Sequence, residues 1–262
     1  MTDWLGVCRG AVEDVRGVLG ELPSRYEREP VVGDGVGGDE TTAVDAAAER
    51  VILERLRTID GITVVSEEVG ELSGEGRWRV VVDPIDGSLN AKRGIPFFSL
   101  SIAAAEGETM DDVVFGYVYD FGTGEEWTAA RGDGARLNGS PLVEHPKDEL
   151  EILSFEATTT AYVSENAARF DGVAHRLRIM GSLALSLCYL AAGRVDAVCS
   201  LKAARAVDIA AAQLLVRERG LAIDLPEAPP FGAAPLDVEG RSRVVAGATP
   251  EVCAELFAAL SA

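Results

Sequence analysis

Apolar positions in the first twenty residues fall on one helical stripe. Trp4, Leu5, Cys8, Ala11, Val12, Val15, Val18 and Leu19 recur three and four apart, and Pro23 closes the run. A second stripe, Val44, Ala47, Ala48, Val51, Ile52 and Leu56, follows Thr42, a residue type suited to capping a helix start. Between the stripes lies VVGDGVGGDETT, a glycine-rich acidic loop. The pattern then shifts to short apolar runs with turn signals between them. ITVVS, RWRVVVD, FFSLSIAAA, VVFGYVYD and EEWTAA predict strands. This part predicts helices packed on an antiparallel or mixed sheet.

The polar stretch HPKDELE at 145–151 divides the chain into 1–145 and 146–262. Beyond it, ILSFEA predicts a strand, 164–170 a short helix and HRLRIM a strand. SLALSLCYLAAG (helix), VDAVCS (strand), VDIAAAQLLVRER (helix) and LAIDL (strand) follow. After the loop PEAPPFGAAP, a strand (RVVAGA) and a helix from Thr249-Pro250 close the chain. The alternation implies α/β layering in this half and α+β in the first.

Charge narrows the partners. The 262 residues carry 43 acidic and 24 basic side chains, a net −19. Phosphate surfaces would be repelled, which argues against a general binder of nucleic acid or anionic membrane. A small phosphorylated molecule held by local cations remains open. No run of 18 apolar residues predicts a membrane span, and the charged start reads as a helix and not as a signal peptide, so a cytoplasmic protein is expected. Cys8, Cys188, Cys199 and Cys253 are widely spaced among apolar neighbours and read as buried free thiols. His145 and His175 show no zinc spacing. Only three of the 24 cations are lysine, and the acids are spread along the chain. Such a surface suits concentrated salt, which also screens self-repulsion.

The densest chemistry is Asp83-Pro84-Ile85-Asp86-Gly87-Ser88-Leu89-Asn90, directly after an apolar strand. Pro84 and Gly87 predict a sharp turn that brings Asp83 and Asp86 to one place. Carboxylates held that close repel unless a cation sits between them. Oxygen ligands suit Mg²⁺, and the Ile85 carbonyl can complete the shell. Glu67 ends the preceding strand, Asp45 lies within an otherwise apolar helix face, and Asp208 opens an Ala-rich helix that must be buried. Acids converging on Mg²⁺ are hardware for hydrolysing a phosphate ester, with Gly87 and Ser88 offering donors to the phosphate.

Other motifs read less well. Gly33-x-Gly35-x-x-Gly38 matches a dinucleotide fingerprint, but no convincing strand precedes it and Asp34 and Asp39 would repel a pyrophosphate. A calcium loop from Asp83 would need Glu where Gly94 stands. The spacing of Asp83 and Asp86 is not that of an aspartyl-phosphate enzyme. Asn138-Gly139-Ser140 is a formal glycosylation sequon without meaning in a cytosolic chain.

SEE at 66–68, DPIDGSLNAKRGIPFFSLSIA at 83–103, GSLALSLCYLAAGRVDAV at 181–198 and RAVDIAAAQLL at 205–215 run in order across nearly the whole chain. They resemble the inositol monophosphatase superfamily of Mg²⁺-dependent phosphatases, and GIPFF and RAVDIAAA resemble its archaeal branch, active on fructose 1,6-bisphosphate and inositol monophosphate. The resemblance implies a layered αβαβα sandwich, a homodimer and two or three Mg²⁺ per site. It implies that Glu67, Asp83, the Ile85 carbonyl, Asp86 and Asp208 hold metal. Glu67 and Ser88, with Asp45 behind Ser88, would activate water. Asp86, Gly87 and Ser88 would hold the phosphate, and Gly181, Ser182 and Leu183 the sugar or cyclitol hydroxyls. Arg178, Lys202 and Arg205 are cations near those segments that could hold a second phosphate.

Four positions depart from the family pattern: Ser88 replaces Thr, Ala91 Phe, Val207 Trp, and Leu201 a Glu that binds the cyclitol in animal members. The last favours fructose 1,6-bisphosphate as the main substrate. A 3′-phosphoadenosine 5′-phosphate phosphatase and a non-catalytic metal-binding member are the alternatives.

Overall fold

The computed structural model describes residues 2–36, 40–147, 149–156, 159–228 and 230–261. Helix α1 (Trp4–Glu21) leads through a short α2 (Arg25–Arg28) to a hairpin, β1 (Val31–Asp34) and β2 (Glu40–Thr42). Helix α3 (Ala43–Leu56) follows, with Thr42 and Asp45 forming a capping box at its start. Then come β3 (Thr63–Ser66), β4 (Gly70–Leu72), β5 (Arg79–Asp86), α4 (Ser88–Arg93), β6 (Ser99–Ala105), β7 (Val113–Asp120), β8 (Glu126–Ala130), β9 (Gly134–Leu137) and β10 (Ser140–Pro141). Strands β3 to β10 form one sheet in the order β10-β9-β8-β7-β6-β5-β3-β4, antiparallel except where β3 runs parallel to β5.

The second half contains β11 (Ile152–Glu156), α5 (Thr160–Asn166), β12 (Arg176–Arg178), α6 (Leu183–Ala191), β13 (Ala197–Ser200), α7 (Ala206–Glu218), β14 (Ala222–Asp224), β15 (Val245–Gly247) and α8 (Pro250–Ser261). Its five-stranded sheet has the order β12-β11-β13-β15-β14.

Strand alternation explains the layers. Val64, Val80, Val82, Leu100 and Ile102 point to one face of the large sheet and pack under α1 and α3. Val65, Val81, Ala103 and Trp127 point to the other, against α6 and α7. Those two helices also cover Val198 and Ala246 of the small sheet. Leu153, Phe155, Cys199 and Val245 face the outer layer, with Cys253, Leu256 and Leu260 of α8. The result is the αβαβα sandwich. All four cysteines are buried and unpaired.

Three local expectations change. The predicted turn at Pro84–Gly87 is a bulge within β5: pairing with β6 slips between Asp83 and Asp86, and Gly87 then takes a left-handed φ of +95°. The helix expected near 164–170 starts earlier, because the Thr159 hydroxyl accepts from the Tyr162 amide (3.3 Å) and caps it. The glycine-rich loop carries the β1–β2 hairpin, so a strand does lie at Gly33; Gly38 and Asp39 fall outside the described residues. No helix among the described residues is long and apolar enough to cross a membrane.

Candidate active site

Parallel pairing places Ser66 opposite Val82, so Glu67 and Asp83 leave neighbouring strands at the same end. The bulge turns Asp86 towards the same end. From the opposite side comes the first turn of α7, where Asp208 accepts from the Arg205 amide (2.7 Å). These residues line a cleft of about 520 Å³ between the two sheets, together with Asp45, Ile85, Gly87, Ser88, Gly181, Leu183, Lys202 and Arg205.

Burial and mutual repulsion dominate its electrostatics. Burial, then Glu67, Asp86 and Asp208, push the Asp83 carboxyl well above its ordinary value. Asp86 is pushed up to about 7 by burial and by Asp208 against its hydrogen bonds. Glu67 also rises to about 7, again through burial first, with Arg205 opposing and Asp208 adding. Such acids demand positive charge. Arg205 supplies it: its guanidinium bonds Glu67 and lies 3.6 Å from Asp208. No group of three acidic, cysteine or histidine side chains among the described residues stands close enough together to chelate an ion. The donor set itself fits a hard divalent cation, being carboxylate and carbonyl oxygen throughout. Buried Asp45 adds a second sign, since its Oδ1 has no hydrogen-bond partner among the described residues while Oδ2 accepts from the Thr42 hydroxyl (2.5 Å).

Some expected contacts are arranged differently. The Ser88 hydroxyl donates to the Ile85 carbonyl (2.9 Å), and no hydrogen bond among the described residues joins it to Asp45. Ser182 is 1% exposed and turns inward, donating to Asp86 Oδ2 (2.6 Å) beside the Ala184 amide (2.8 Å). Its side chain therefore positions Asp86 and does not line the cleft, whereas Gly181 and Leu183 do. Arg178 is exposed on the edge strand β12, hydrogen-bonded to the Leu177 carbonyl (2.9 Å), and does not line the cleft. Arg205 faces the acids as well as the cleft, so its charge is committed to Glu67 and Asp208.

Other residues that build the site escape the sequence reading. Lys92 and Arg241 add cations to the cleft wall. Buried Glu49 accepts from the Ser66 hydroxyl (2.6 Å) and the Glu68 and Val69 amides (3.2 and 3.1 Å), fixing the turn that presents Glu67. Its signal is an acid between Ala48 and Ile52 on the inner helical stripe. Asn90 donates to the Phe97 and Met180 carbonyls (both 2.8 Å) and ties α4 to the loop before α6.

A family model described as the inositol monophosphatase family matches residues 6–261. The chain belongs to the inositol monophosphatase family. It is 34% identical over 247 residues, 93% of each chain, to the fructose-1,6-bisphosphatase/inositol-1-monophosphatase of Archaeoglobus fulgidus. The protein of that name from Thermococcus kodakarensis is 39% identical over 191 residues, 72% of this chain and 71% of that one. The Nus factor SuhB of Escherichia coli is 38% identical over 225 residues, 80% and 81% of the two chains. A crystal structure of an inositol monophosphatase–fructose 1,6-bisphosphatase superposes with a TM-score of 0.87 at 27% identity, covering 98% of this chain and all of that one. Membership in the inositol monophosphatase family makes the protein a phosphatase; the family is generally metal-dependent, and its substrates are small phosphorylated sugars or cyclitols.

Proposed function

We propose that the protein hydrolyses the 1-phosphate of fructose 1,6-bisphosphate, and also inositol monophosphate, with two or three Mg²⁺ held by Glu67, Asp83, the Ile85 carbonyl, Asp86 and Asp208. The supporting observation is the convergence of these oxygen donors from β3, β5 and α7 at one end of the cleft. Bound Mg²⁺ would neutralise phosphate oxygens and lower the pKa of water. Gly87 and Ser88 receive the phosphate at the start of α4, where helix amides lack intrahelical partners. Glu67 and Ser88 orient the water, and Asp45 brings its unpartnered Oδ1 to the same wall. Gly181 and Leu183 meet the polyol, and Lys202 with Lys92 or Arg241 holds a second phosphate.

The same reading includes a cytoplasmic homodimer working in concentrated salt. It also includes a functional division at 145/146, with most metal ligands before it and the polyol contacts and Asp208 after it.

The test is phosphate release with Mg²⁺ at low and multimolar KCl from fructose 1,6-bisphosphate, inositol 1-phosphate and 3′-phosphoadenosine 5′-phosphate. Preference for the sugar bisphosphate, greater in high salt, is expected; preference for the nucleotide would reassign the substrate. Release from none would favour a non-catalytic role, a reading to which the relatives named Nus factor SuhB lend weight.

Arg205 gives a second check. Its side chain is about one-tenth exposed, and breaking a buried pair costs roughly 3 kcal/mol. Arg205→Met should lower the melting midpoint in EDTA by about 5–10 °C. Mg²⁺ should restore most of that loss by replacing the missing charge. Scanning fluorimetry with and without Mg²⁺ reads this directly, and an equal loss in both would contradict the counter-ion role.

A further inference from the structure

Glu156 ends β11 in the second sheet, 8% exposed and on the wall of the cleft. Its Oε2 accepts the Gly181 amide (3.1 Å), and its Oε1 accepts the Ser186 hydroxyl (2.6 Å). The Ser154 hydroxyl completes the cluster, 3.2 Å from Oε1 and 3.0 Å from Ser186 Oγ. Gly181 precedes α6, and Ser186 lies one turn inside it. Glu156 thus grips the start of α6 at two points. Between those points, Ser182 and Ala184 donate to Asp86, which comes from the other sheet.

The gripped turn has little freedom of its own. Gly181 adopts a φ of +89°, and a Cβ there would lie 3.0 Å from Asn90 Nδ2. Its carbonyl stands 3.0 Å from where a Cβ on Gly87 would be. A shift of the Gly181 amide therefore moves the backbone that faces the polyol, while Gly87 keeps the geometry set by the β5 bulge and α4. A buried carboxylate is a costly way to fill space, and an apolar side chain would pack more cheaply. An acceptor for the Gly181 amide is what the carboxylate supplies.

We propose that Glu156 is a positioning residue that fixes the Gly181 turn and thereby sets how tightly the cleft holds the polyol part of a sugar phosphate. The proposal rests on the sugar-phosphatase reading above. Losing this anchor weakens substrate binding in both ground and transition state, so the effect falls on KM more than on kcat.

The experiment compares Glu156→Ala and Glu156→Gln with the wild type on fructose 1,6-bisphosphate and on p-nitrophenyl phosphate, whose leaving group has no polyol. Glu156→Ala should raise KM for the sugar phosphate about tenfold with kcat changed less than threefold. The change in KM on p-nitrophenyl phosphate should be at least fivefold smaller. Glu156→Gln keeps an acceptor for Gly181 and should recover most of the loss. Equal losses on both substrates, or a lowered melting midpoint without a KM shift, would overturn the proposal. Hydrogen exchange at the Gly181 amide, measured without substrate, should be faster in Glu156→Ala. If the wild type ignores sugar phosphates, that reading fails by itself, and unchanged exchange at Gly181 would then overturn the positioning role independently.

Discussion

Asp86→Asn should fold as the wild type does and lose at least about a thousandfold in phosphate release, some 4 kcal/mol of transition-state stabilisation. The fold should survive because the amide oxygen of asparagine can still accept from Ser182 and Ala184, the two donors that hold Asp86 (2.6 and 2.8 Å). The loss should be large because the amide group would present N–H donors where the cluster offers cation ligands. Removing one acid also relieves repulsion from Asp208 and burial of a charge, so the variant should melt no lower than the wild type without Mg²⁺. Calorimetric titration should show weakened Mg²⁺ binding. A variant with full turnover would remove Asp86 from the chemistry.

Gly116→Ala is expected to cost about 2–3 kcal/mol of stability. On β7, a Cβ at Gly116 would lie 2.4 Å from the Ala211 carbonyl oxygen of α7. Backbone cannot rotate away as a side-chain end can, so α7 must move off the sheet. Asp208 lies one turn before Ala211 on this helix, so the displacement should also weaken Mg²⁺ binding. The comparison is Gly17→Ala, at an exposed position of α1 with nothing among the described residues within 4 Å, which should gain roughly 0.5–1 kcal/mol. Denaturant titration of both variants checks the pair; equal stability would mean that the close approach of β7 and α7 is not a constraint.

The acids were legible because each sits at a visible change of pattern. Apolar runs stop at Glu67 and Asp83, and Asp208 opens an Ala-rich helix. Layering followed from period-two strands alternating with helices. The β1–β2 hairpin was hidden because every residue of β1 is exposed, which leaves no alternation to read. The Glu67 partner of Arg205 was hidden for a different reason: it is 138 residues away, and only the packing of α7 against the large sheet joins them. Ser182 and Arg178 show the limit of motif spacing. It locates a residue near a site, while one hydroxyl turns inward to Asp86 and one guanidinium stays on an exposed edge strand.

Asp86 belongs both to the acid cluster and, through one oxygen, to the start of α6. Two ligands that share a residue are thermodynamically linked. By whatever factor a bound cation changes the affinity for the polyol, the polyol changes the affinity for the cation by that same factor. If the coupling is positive and of ordinary size, about 1–3 kcal/mol, sugar phosphate would retain Mg²⁺ at concentrations where the empty cleft releases it. Substrate supply would then govern how much of the enzyme is metal-loaded, and the metal requirement would fall as substrate rises.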